Sequence, residues 1–494
     1  MHRVFGHRFR RTSLLIAGCI GCLIGLGLAR RGYSATAAAA GSSLVLCILL
    51  YRFQTLLVLV IFALSGASVG LWRGAGYMQA LAAYTPLYGQ KVVLTAMALN
   101  DATYNRYKQL TFDAHSIRLE NGQPLTGKLS VSGFGLNSVY YGDEIQIKGK
   151  VSTTLGAAQG RMSFAQLTLI KHNPSYIGDV RRRFAAGLQN ALPEPAASFS
   201  LGILVGQRAT LPQDVKDALL AVGLTHIIAV SGYNLTIILR ASKRLLAQRS
   251  KRLSTLLSFG LIIIFLLITG FSASIVRAAV ISGLSIFASY YGRTIRPVLL
   301  IFFVAALTAL FNPVYLWSDA GWYLSFLAFA GVIIIGPLLA SRMPAWVQNS
   351  TILMIAVESV AAEMTTLPYV LHTFGEMSYV GVVGNTLIVA FIPLAMLFSV
   401  VAGVVGMAAA SLVGWVAWPA VLVLTYMLNI AQLLSNLPYA FSDNRYLSQA
   451  TTLQLYAIVL LVWAGLHFKN KSKPAILTDK KTLVLPEHER MHIT

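Results

Sequence analysis

Residues 261–271, Leu-Ile-Ile-Ile-Phe-Leu-Leu-Ile-Thr-Gly-Phe, contain no charged side chain and no polar face at the helical period of about 3.6 residues. A helix that is apolar on every side must be surrounded by lipid or by other apolar helices. A membrane-spanning helix needs about 20 mostly apolar residues. This segment is part of a longer apolar run near 255–271, and similar runs lie near 13–29, 54–72 and 452–467. This pattern predicts a polytopic α-helical membrane protein.

The composition agrees with that fold class. Of the 494 residues, 56% are hydrophobic and only 11% are charged, whereas an ordinary soluble domain has about 25% charged residues. A large soluble helical protein would need polar helix faces, which these runs lack. The composition therefore excludes a soluble helical protein.

The formal net charge of +22 is concentrated in short connectors. The first twelve residues carry four arginines, and residues 240–252 carry six lysines and arginines. By the positive-inside rule, both segments are predicted to be cytoplasmic. We interpret 13–29 as a retained helix rather than a signal peptide, because a second apolar run follows almost at once.

Residues 1–72 are predicted to form three transmembrane helices, which place the following segment, 73–175, outside the cell. In that segment apolar and polar residues alternate, as in Lys-Val-Val-Leu-Thr-Ala-Met-Ala-Leu (91–99) and Leu-Thr-Phe-Asp-Ala-His-Ser-Ile-Arg-Leu (110–119). Alternation with turn-forming clusters predicts antiparallel strands. The size of the segment favours an inserted extracytoplasmic small β-barrel domain, closed by five strands and OB-like.

The β domain is basic, with ten Lys and Arg against five Asp and Glu between residues 73 and 173. OB barrels that hold single strands combine a basic groove with aromatic stacking platforms. An ordinary β domain whose aromatic residues fill the core is the alternative. The best candidates for a DNA-binding surface lie together in one polar turn: Tyr104, Arg106, Tyr107 and Lys108.

The channel-like part of the sequence begins after an amphipathic segment, 176–217, which is predicted to lie along the membrane surface. The next apolar run, 218–239, is long enough to cross the membrane. Four polar or helix-breaking residues lie in its middle: His226, Ser231, Gly232 and Asn234. Polar groups at that depth are costly unless they face a cavity or a partner.

Residues 223–235, Gly-Leu-Thr-His-Ile-Ile-Ala-Val-Ser-Gly-Tyr-Asn-Leu, resemble the signature of the ComEC family of DNA-uptake channels. The family usually has His at the position of Asn234, and Asn cannot carry a charge. Further segments resemble the family in the same order along the chain: Leu201 to Arg208, Thr269 to Ala278, Asn312 to Ala328 and Thr366 to Pro393. With the β domain, these segments span nearly the whole chain.

The resemblance implies a channel that conducts single-stranded DNA across the bacterial cytoplasmic membrane during natural transformation. Its channel domain would be 218–467, followed by a basic tail, 468–494. The residues implied to line the DNA path are His226, Ser231, Gly232, Asn234, Arg277 and Arg208. The residues implied to support the motifs are Thr225, Asp319, Ser325, Glu363, Thr366, Pro368 and Asn385.

The same resemblance implies several partners. These are single-stranded DNA, membrane lipid, a separate nuclease, a DNA receptor, and a cytoplasmic motor or single-strand-binding protein; a homo-oligomer is left open. The tail stops without the His-x-His-x-Asp-His cluster of the metallo-β-lactamase-like domain that many members carry, so we expect another polypeptide to degrade the second strand. The nine histidines show no metal-ligand spacing, and there is no Walker loop. We expect no metal, no cofactor and no enzymatic activity.

Other roles remain open for individual motif residues. A helix that starts near Ser231 would point N–H groups at a phosphate, but the Ser-Gly step also permits close helix packing. His226 is equally suited to holding a helix turn. Arg277 is close enough to a helix end to reach the membrane surface. Asp319 is placed to cap the helix that follows it.

Glu363 favours a second class of function. An ionised carboxylate in a DNA channel would repel the cargo, so we expect Glu363 either to pair with a cation, Arg277 being the first candidate, or to be protonated. Intramembrane carboxylates also act as proton relays. A proton-coupled transporter of small solutes is therefore the alternative function, and a membrane enzyme is the least favoured.

The side of the C-terminus is left open by the sequence. About ten apolar runs after the β domain would return the tail to the outside, whereas its lysines favour the cytoplasm. Either a Gly- and Pro-rich segment between 377 and 416 enters and leaves on one side, or the tail lies outside.

Overall fold

The computed structural model describes residues 9–105, 107–154, 158–173, 176–207, 210–228, 232–245, 250–270, 273–408 and 413–471. In this part of the chain, seven helices are long and apolar enough to cross a membrane, and a bent helix pair adds an eighth. A small closed β-barrel is inserted after the third helix. The predicted fold class, a polytopic helical membrane protein with an inserted barrel, is confirmed.

The N-terminal segment forms three helices, α1 (Arg11–Ala29), α2 (Ala37–Leu50) and α3 (Leu56–Ala82). Helix α2 has 14 residues and is thus about 21 Å long, shorter than the roughly 30 Å hydrocarbon layer. Ser65 donates to Ser43 and the thiol of Cys47 lies near the carbonyl of Ile61, so α2 runs antiparallel to α3. The chain therefore traverses this region three times, and its middle pass is short.

Helices α1 and α3 are parallel and pack through glycines. A Cβ built on Gly66 would lie 1.9 Å from the carbonyl oxygen of Gly18, and one on Gly70 would lie 2.2 Å from that of Cys22. Gly66, Gly70 and Gly74 recur every four residues on α3, the small-xxx-small spacing that lets helix backbones approach closely in membranes. The absence of side chains at these positions sets the distance between the two helices.

The inserted domain is a five-stranded barrel with strands β1 (Lys91–Ala98), β2 (Leu110–Leu119), β3 (Leu129–Phe134), β4 (Glu144–Ser152) and β5 (Gly160–Lys171). Strand β1 pairs antiparallel with β2 and β4, β2 with β3, and β4 with β5. A parallel pair, β3 with β5, closes the barrel. Two-residue strands at Thr103–Tyr104 and Pro124–Leu125 extend β2. This connectivity confirms the predicted OB-like barrel.

The barrel is fixed to the helical bundle at two places. The fully buried Tyr84, just beyond α3, belongs to the barrel core, and Gln159 donates to the hydroxyl of Tyr77 on α3. On the other side, Arg182 of helix α4 (Tyr176–Ala191) lies over the ring of Tyr140 and near the carboxylate of Asp101. The barrel is therefore held by the chain segments that enter and leave it.

Short helices follow α4: α5 (Ala196–Val205), α6 (Gln213–Ala221), α7 (Thr225–Ile228) and α8 (Gly232–Leu245). The next group is α9 (Lys251–Thr269), α10 (Ala273–Tyr290), α11 (Pro297–Phe311) and α12 (Val314–Ser318). Helix α13 (Ala320–Ala330) continues through a π-helical turn, Gly331–Ile335, into α14 (Gly336–Ala340). Together these elements bring the chain to residue 340.

The last part contains α15 (Ala345–Gln348), α16 (Thr351–Thr373), strand β6 (Met377–Ser378), α17 (Gly381–Val389) and α18 (Ile392–Ala408). Helix α19 (Val413–Ser435), strand β7 (Phe441–Ser442) and α20 (Gln449–Lys471) complete it. Helices α17 and α18 meet at a bend of 48°. The two are therefore one bent pass rather than two straight ones.

The barrel marks one end of the bundle, and several helix ends lie there. The guanidinium of Arg73 on α3 donates to the carbonyl of Leu310 at the end of α11. The rings of Tyr323 near the start of α13 and Tyr369 near the end of α16 stack with centroids 5.2 Å apart. Strands β6 and β7 pair antiparallel. The pairing places the start of α17 and the end of α19 at this same end.

The opposite end of the bundle collects the basic connectors. Lys251 at the start of α9 lies over the ring of Tyr290 at the end of α10. Arg342, after α14, donates to the carbonyl of Leu466 near the end of α20. The start of α1 also lies at this end, since α1 reaches the barrel end at Leu26, whose carbonyl accepts from Trp317. Three basic segments of the chain therefore lie together at this end.

This arrangement bears on the helix count that the sequence left open. Helices α17 and α18 cross once, α19 returns to the barrel end, and α20 runs away from it. The apolar residues 381–408 look like two runs in the sequence but form a single bent pass, and the count of ten runs was wrong for that reason. Helix α20 therefore ends opposite the barrel, while the tail itself, 472–494, lies outside the described residues.

The expected surface segment 176–217 differs from the structure. Helix α4 packs along α18, where a Cβ on Gly406 would lie 2.0 Å from the carbonyl oxygen of Gly187. All ten residues of α5 are buried. The arginines at the start of α4 suggested contact with lipid headgroups, but Arg182 contacts acidic and aromatic side chains of the barrel instead. The segment is part of the bundle.

Prediction for the glycine contact. Gly66→Ala should lower the melting temperature of the purified protein in detergent, because the new methyl group overlaps the α1 backbone and overpacking costs about 1–3 kcal/mol. Gly76→Ala is the matched control, since a Cβ there meets nothing within 4 Å. Equal melting temperatures for the two variants would contradict the parallel packing of α1 on α3.

Candidate functional site

The motif at 223–235 begins with a tight turn after α6. Gly223 has φ +72°, a left-handed conformation that glycine adopts without the steric cost of a Cβ. Its N–H donates to the carbonyl of Leu220 at 2.9 Å, and the N–H of Leu224 donates to that of Leu219 at 2.7 Å. These bonds end α6 and satisfy its last carbonyl groups. The turn lets the chain reverse into α7.

His226 lies in the short helix α7. Its Nδ1 is 3.1 Å from the carbonyl oxygen of Gly223, so the ring is bonded to the turn that precedes it. The side chains of both Thr225 and His226 are exposed. The contact with Gly223 favours the turn-holding role for Nδ1.

Asn234 is completely buried. Its Nδ2 donates to the carbonyl oxygen of Ile203 at 2.9 Å. Ile203 lies in the last turn of α5, where carbonyl groups have no partner within their own helix, and α5 ends at Gly206 with φ +79°. The Asn234 amide therefore joins the end of α5 to the start of α8. This is a structural contact, whatever else the residue does.

Two glycines bring neighbouring helices close to this motif. A Cβ on Gly202 of α5 would lie 2.5 Å from the side chain of Ile228, and one on Gly232 would lie 2.9 Å from the Cβ of Ala278 on α10. Gly232 therefore serves close helix packing, one of the two roles that the sequence left open. Ser231, Arg208 and Arg106 lie outside the described residues.

Arg277 precedes Ala278 in α10 and is only 2% exposed. Its Nη2 donates to the hydroxyl of Ser274 at 3.2 Å, and its guanidinium carbon lies 4.7 Å from the centroid of the Phe326 ring. Its Nη1 has no hydrogen-bond partner among the described residues. A side chain this deeply buried does not reach for the membrane surface, so the snorkelling role is not what the structure shows.

The expected pairing of Arg277 with Glu363 is wrong. In the described part of the chain, the ion pairs lie in the barrel or at the start of α4, and none involves either residue. The acidic group that acts electrostatically on Arg277 is Asp319, which also accepts from the N–H of Trp322 and caps α13, as expected. The spacing of residues along the chain could not show that the Arg277 side chain faces α13 rather than α16.

Glu363 lies instead beside the start of α17. Its Oε1 would be 3.7 Å from a Cβ built on Gly381, the first residue of that helix. The carboxylate therefore faces α17 rather than Arg277.

The remaining motif residues differ in their contacts. Thr366 donates to the carbonyl of Ala362 within α16, and Pro368 is buried inside the same helix. Ser325 is half-buried on α13. The Oδ1 of Asn385 is buried without a hydrogen-bond partner among the described residues. Asn385 and Arg277 thus both hold a polar atom that the protein itself does not satisfy.

In the barrel, the predicted surface turn is exposed. Tyr107 is 73% exposed, and Lys108 is exposed as well. Tyr104 is 58% exposed, and its hydroxyl donates to the carbonyl of Asn137. Phe164, which sequence analysis did not single out, is 69% exposed. Phe164 lies in β5, where apolar residues alternate with other residues, and such alternation predicts that an apolar side chain is buried. Only a break in the alternation could have indicated that the Phe164 side chain is exposed.

The electrostatics of the barrel end include two acidic residues near β6 and β7. Burial and the neighbouring charge of Asp443 both raise the pKa of Glu376. A raised pKa keeps this carboxyl neutral over a wider pH range.

No group of three or more metal-ligating side chains occurs within the described ranges.

Prediction for the Asn234 contact. Asn234→Leu should lower the free energy of unfolding by about 1–3 kcal/mol, because the buried carbonyl of Ile203 loses its donor. Thr236→Val is the control, since the Thr236 hydroxyl donates only to Gly232 of its own helix. Denaturant unfolding in bicelles provides the measurement. A loss no larger than that of Thr236→Val would show that the amide is not needed for stability.

Residues 203–469 match the family described as Competence protein. ComE operon protein 3 of Bacillus subtilis (strain 168) is 28% identical over 229 residues, which cover 46% of this chain but only 28% of the relative's length. No solved structure matches. Because the family match covers more than half of the chain, and includes the turn at Gly223, Asn234 and Arg277, the chain belongs to the ComEC family of competence proteins.

Proposed function

We propose that this chain conducts single-stranded DNA across the bacterial cytoplasmic membrane during natural transformation. Membership of the competence family supports a role in DNA uptake. The observation that carries the finer proposal is the unpaired polar atoms of Arg277 and Asn385 inside an apolar helical bundle. Transport of a polyanion gives these atoms a partner.

The energetic argument rests on Arg277. A buried charge without a partner costs several kcal/mol in real proteins, and a buried polar group without a hydrogen bond costs about 1–3 kcal/mol. The Phe326 ring offsets only part of that cost, since cation–π contacts contribute about 0.5–2 kcal/mol. An arginine fork matches a phosphate oxygen pair. A passing phosphodiester would satisfy Nη1.

Conduction also requires that no site hold the cargo tightly. Asp319 acts on the same guanidinium, so it lowers the attraction between Arg277 and a phosphate. The His226 ring and the amide of Asn385 add donors and acceptors without a fixed charge. Ser231 and Arg208 belong to the same proposed path.

The proposed orientation follows from the distribution of basic residues. The bundle end with Lys251 and Arg342 would be cytoplasmic by the positive-inside rule, and the barrel would be outside. The N-terminus and the end of α20 would then both be cytoplasmic. The proposed partners are those of an uptake system: a receptor and a nuclease outside, and a motor or single-strand-binding protein inside.

A proton-coupled transporter of small solutes is the second candidate. The half-buried carboxylate of Glu363, without an ion pair among the described residues, favours it. Family membership favours DNA. Glu363→Gln separates the two, since it should abolish proton-coupled transport and leave DNA uptake unchanged.

Prediction for conduction. Arg277→Gln should reduce transformation at least tenfold, whereas deletion of the gene should abolish it, and surface binding of DNA should persist in both strains. Glutamine keeps a long polar side chain with hydrogen-bond donors at this position, so we expect the variant to reach the membrane at normal abundance, which immunoblotting of the membrane fraction checks. Arg293→Gln, in an exposed connector, should transform normally. Normal transformation by the deletion strain, with lost growth on a nutrient, would support the transporter instead.

Prediction for orientation. A cysteine in place of Asn121, in an exposed barrel turn, should react with a membrane-impermeant maleimide in intact cells. A cysteine in place of Ala345, at the opposite end of the bundle, should react only after the membrane is opened. The wild-type protein gives the background, because its three cysteines lie in α1 and α2. The reverse labelling pattern would invert the proposed topology.

A further inference from the structure

Three aromatic rings lie together on the outside of the barrel. Tyr107 is 73% exposed, Phe164 69% and Phe134 46%. The centroid of the Phe164 ring is 6.4 Å from that of Tyr107 and 6.4 Å from that of Phe134. We call Tyr107, Phe134 and Phe164 the aromatic triad. Its rings come from a turn and two strands, so the barrel topology is what brings them together.

The backbone at Phe164 is shaped to expose this ring. Phe164 has φ +56°, a conformation that non-glycine residues seldom adopt. The pairing register of β5 shifts at this point against both β3 and β4, which marks a β-bulge. The bulge breaks the alternation and turns a large apolar side chain to the outside. Such backbone outliers cluster at functional sites.

The surface around the triad is basic. Lys148 is the cross-strand neighbour of Gln166, which in turn pairs with Phe134, and Lys150 is the neighbour of Ser163. Both lysines are exposed. Between Gln146 and Lys150 and between Arg161 and Thr168, these described strands carry three basic and no acidic side chains. An apolar surface with this rim is suited to a ligand that has both flat rings and negative charge.

We infer that the aromatic triad is a stacking platform for the bases of single-stranded DNA, with Phe164 as its central ring and Lys148 and Lys150 as phosphate contacts. Every base has a face that stacks on an aromatic ring, so the platform accepts any sequence. The inference rests on the proposed function, since it assumes that the chain handles single strands. It moves the centre of the barrel's DNA surface from the turn at Tyr104 to the bulge in β5.

A second copy of the chain is the competing occupant. Lysine is depleted at the centre of protein–protein interfaces and aromatic residues are enriched there. The triad alone would suit either occupant, but the lysines beside it favour a polyanion. Light scattering of the purified protein separates the two, because a self-association surface would change the mass when Phe164 is replaced.

The test uses the full chain in nanodiscs and a fluorescent thymidine oligonucleotide, with an abasic oligonucleotide of the same length as second probe. Phe164→Asn removes the ring, and asparagine tolerates the left-handed backbone. It should weaken thymidine binding about tenfold, since each stacked base contributes a factor of this order. Binding of the abasic strand, which has phosphates but no bases, should not change.

Three variants complete the design. Phe164→Trp, which keeps a ring at the bulge, should bind the thymidine strand as the wild type does. Tyr141→Ala removes another exposed barrel tyrosine outside the triad and should bind normally. Lys148→Gln should weaken both probes and reduce the salt dependence of binding.

Other results would overturn the inference. Unchanged thymidine binding by Phe164→Asn, equal weakening of both probes, or a change in mass without a change in DNA binding would each do so. The assay involves no transport, so it is independent of conduction. If the variants behave as expected while the deletion strain still transforms, the platform stands and the channel proposal fails.

Discussion

The hydrogen bond from the Asn234 amide to the carbonyl of Ile203 is the contact on which the central part of the bundle depends. Within a bilayer, irregular backbone is tolerated only where the protein itself satisfies the freed polar groups. Helix α5 ends and helix α8 begins inside the bundle, and this bond joins the two helix ends. Because Gly202 and Gly232 let Ile228 and Ala278 approach, the polar motif is held between α5, α7 and α10.

Charge is treated differently in the two halves of the molecule. The barrel and the start of α4 hold the ion pairs of the described residues, such as Lys128 with Asp113 at 2.8 Å. In the bundle, Arg277 is buried with a hydroxyl, a ring and one unpaired nitrogen. The barrel therefore has the electrostatics of a stable soluble domain. The bundle instead holds a deeply buried cation whose hydrogen bonding is incomplete among the described residues.

Much of this fold follows from patterns within single segments, and what was missed depends on contacts between segments. The apolar residues 261–271 lie in α9 and its end, and alternation predicted the barrel. The bend between α17 and α18 made one pass look like two, since hydropathy records length but not direction. Arg277 was assigned the wrong partner because tertiary packing decides which helix it faces. Phe164 was missed because its exposure depends on a bulge that composition does not reveal.

The pairing of β6 with β7 bears on how the chain is made. Ribosomes deliver β6 to the membrane before α17, α18 and α19 exist, so its partner strand arrives only after all three have been inserted. If the bent pass were inserted in the wrong direction, β7 would emerge on the far side of the membrane and the two strands would never meet. This two-stranded sheet therefore closes only over a correctly threaded segment.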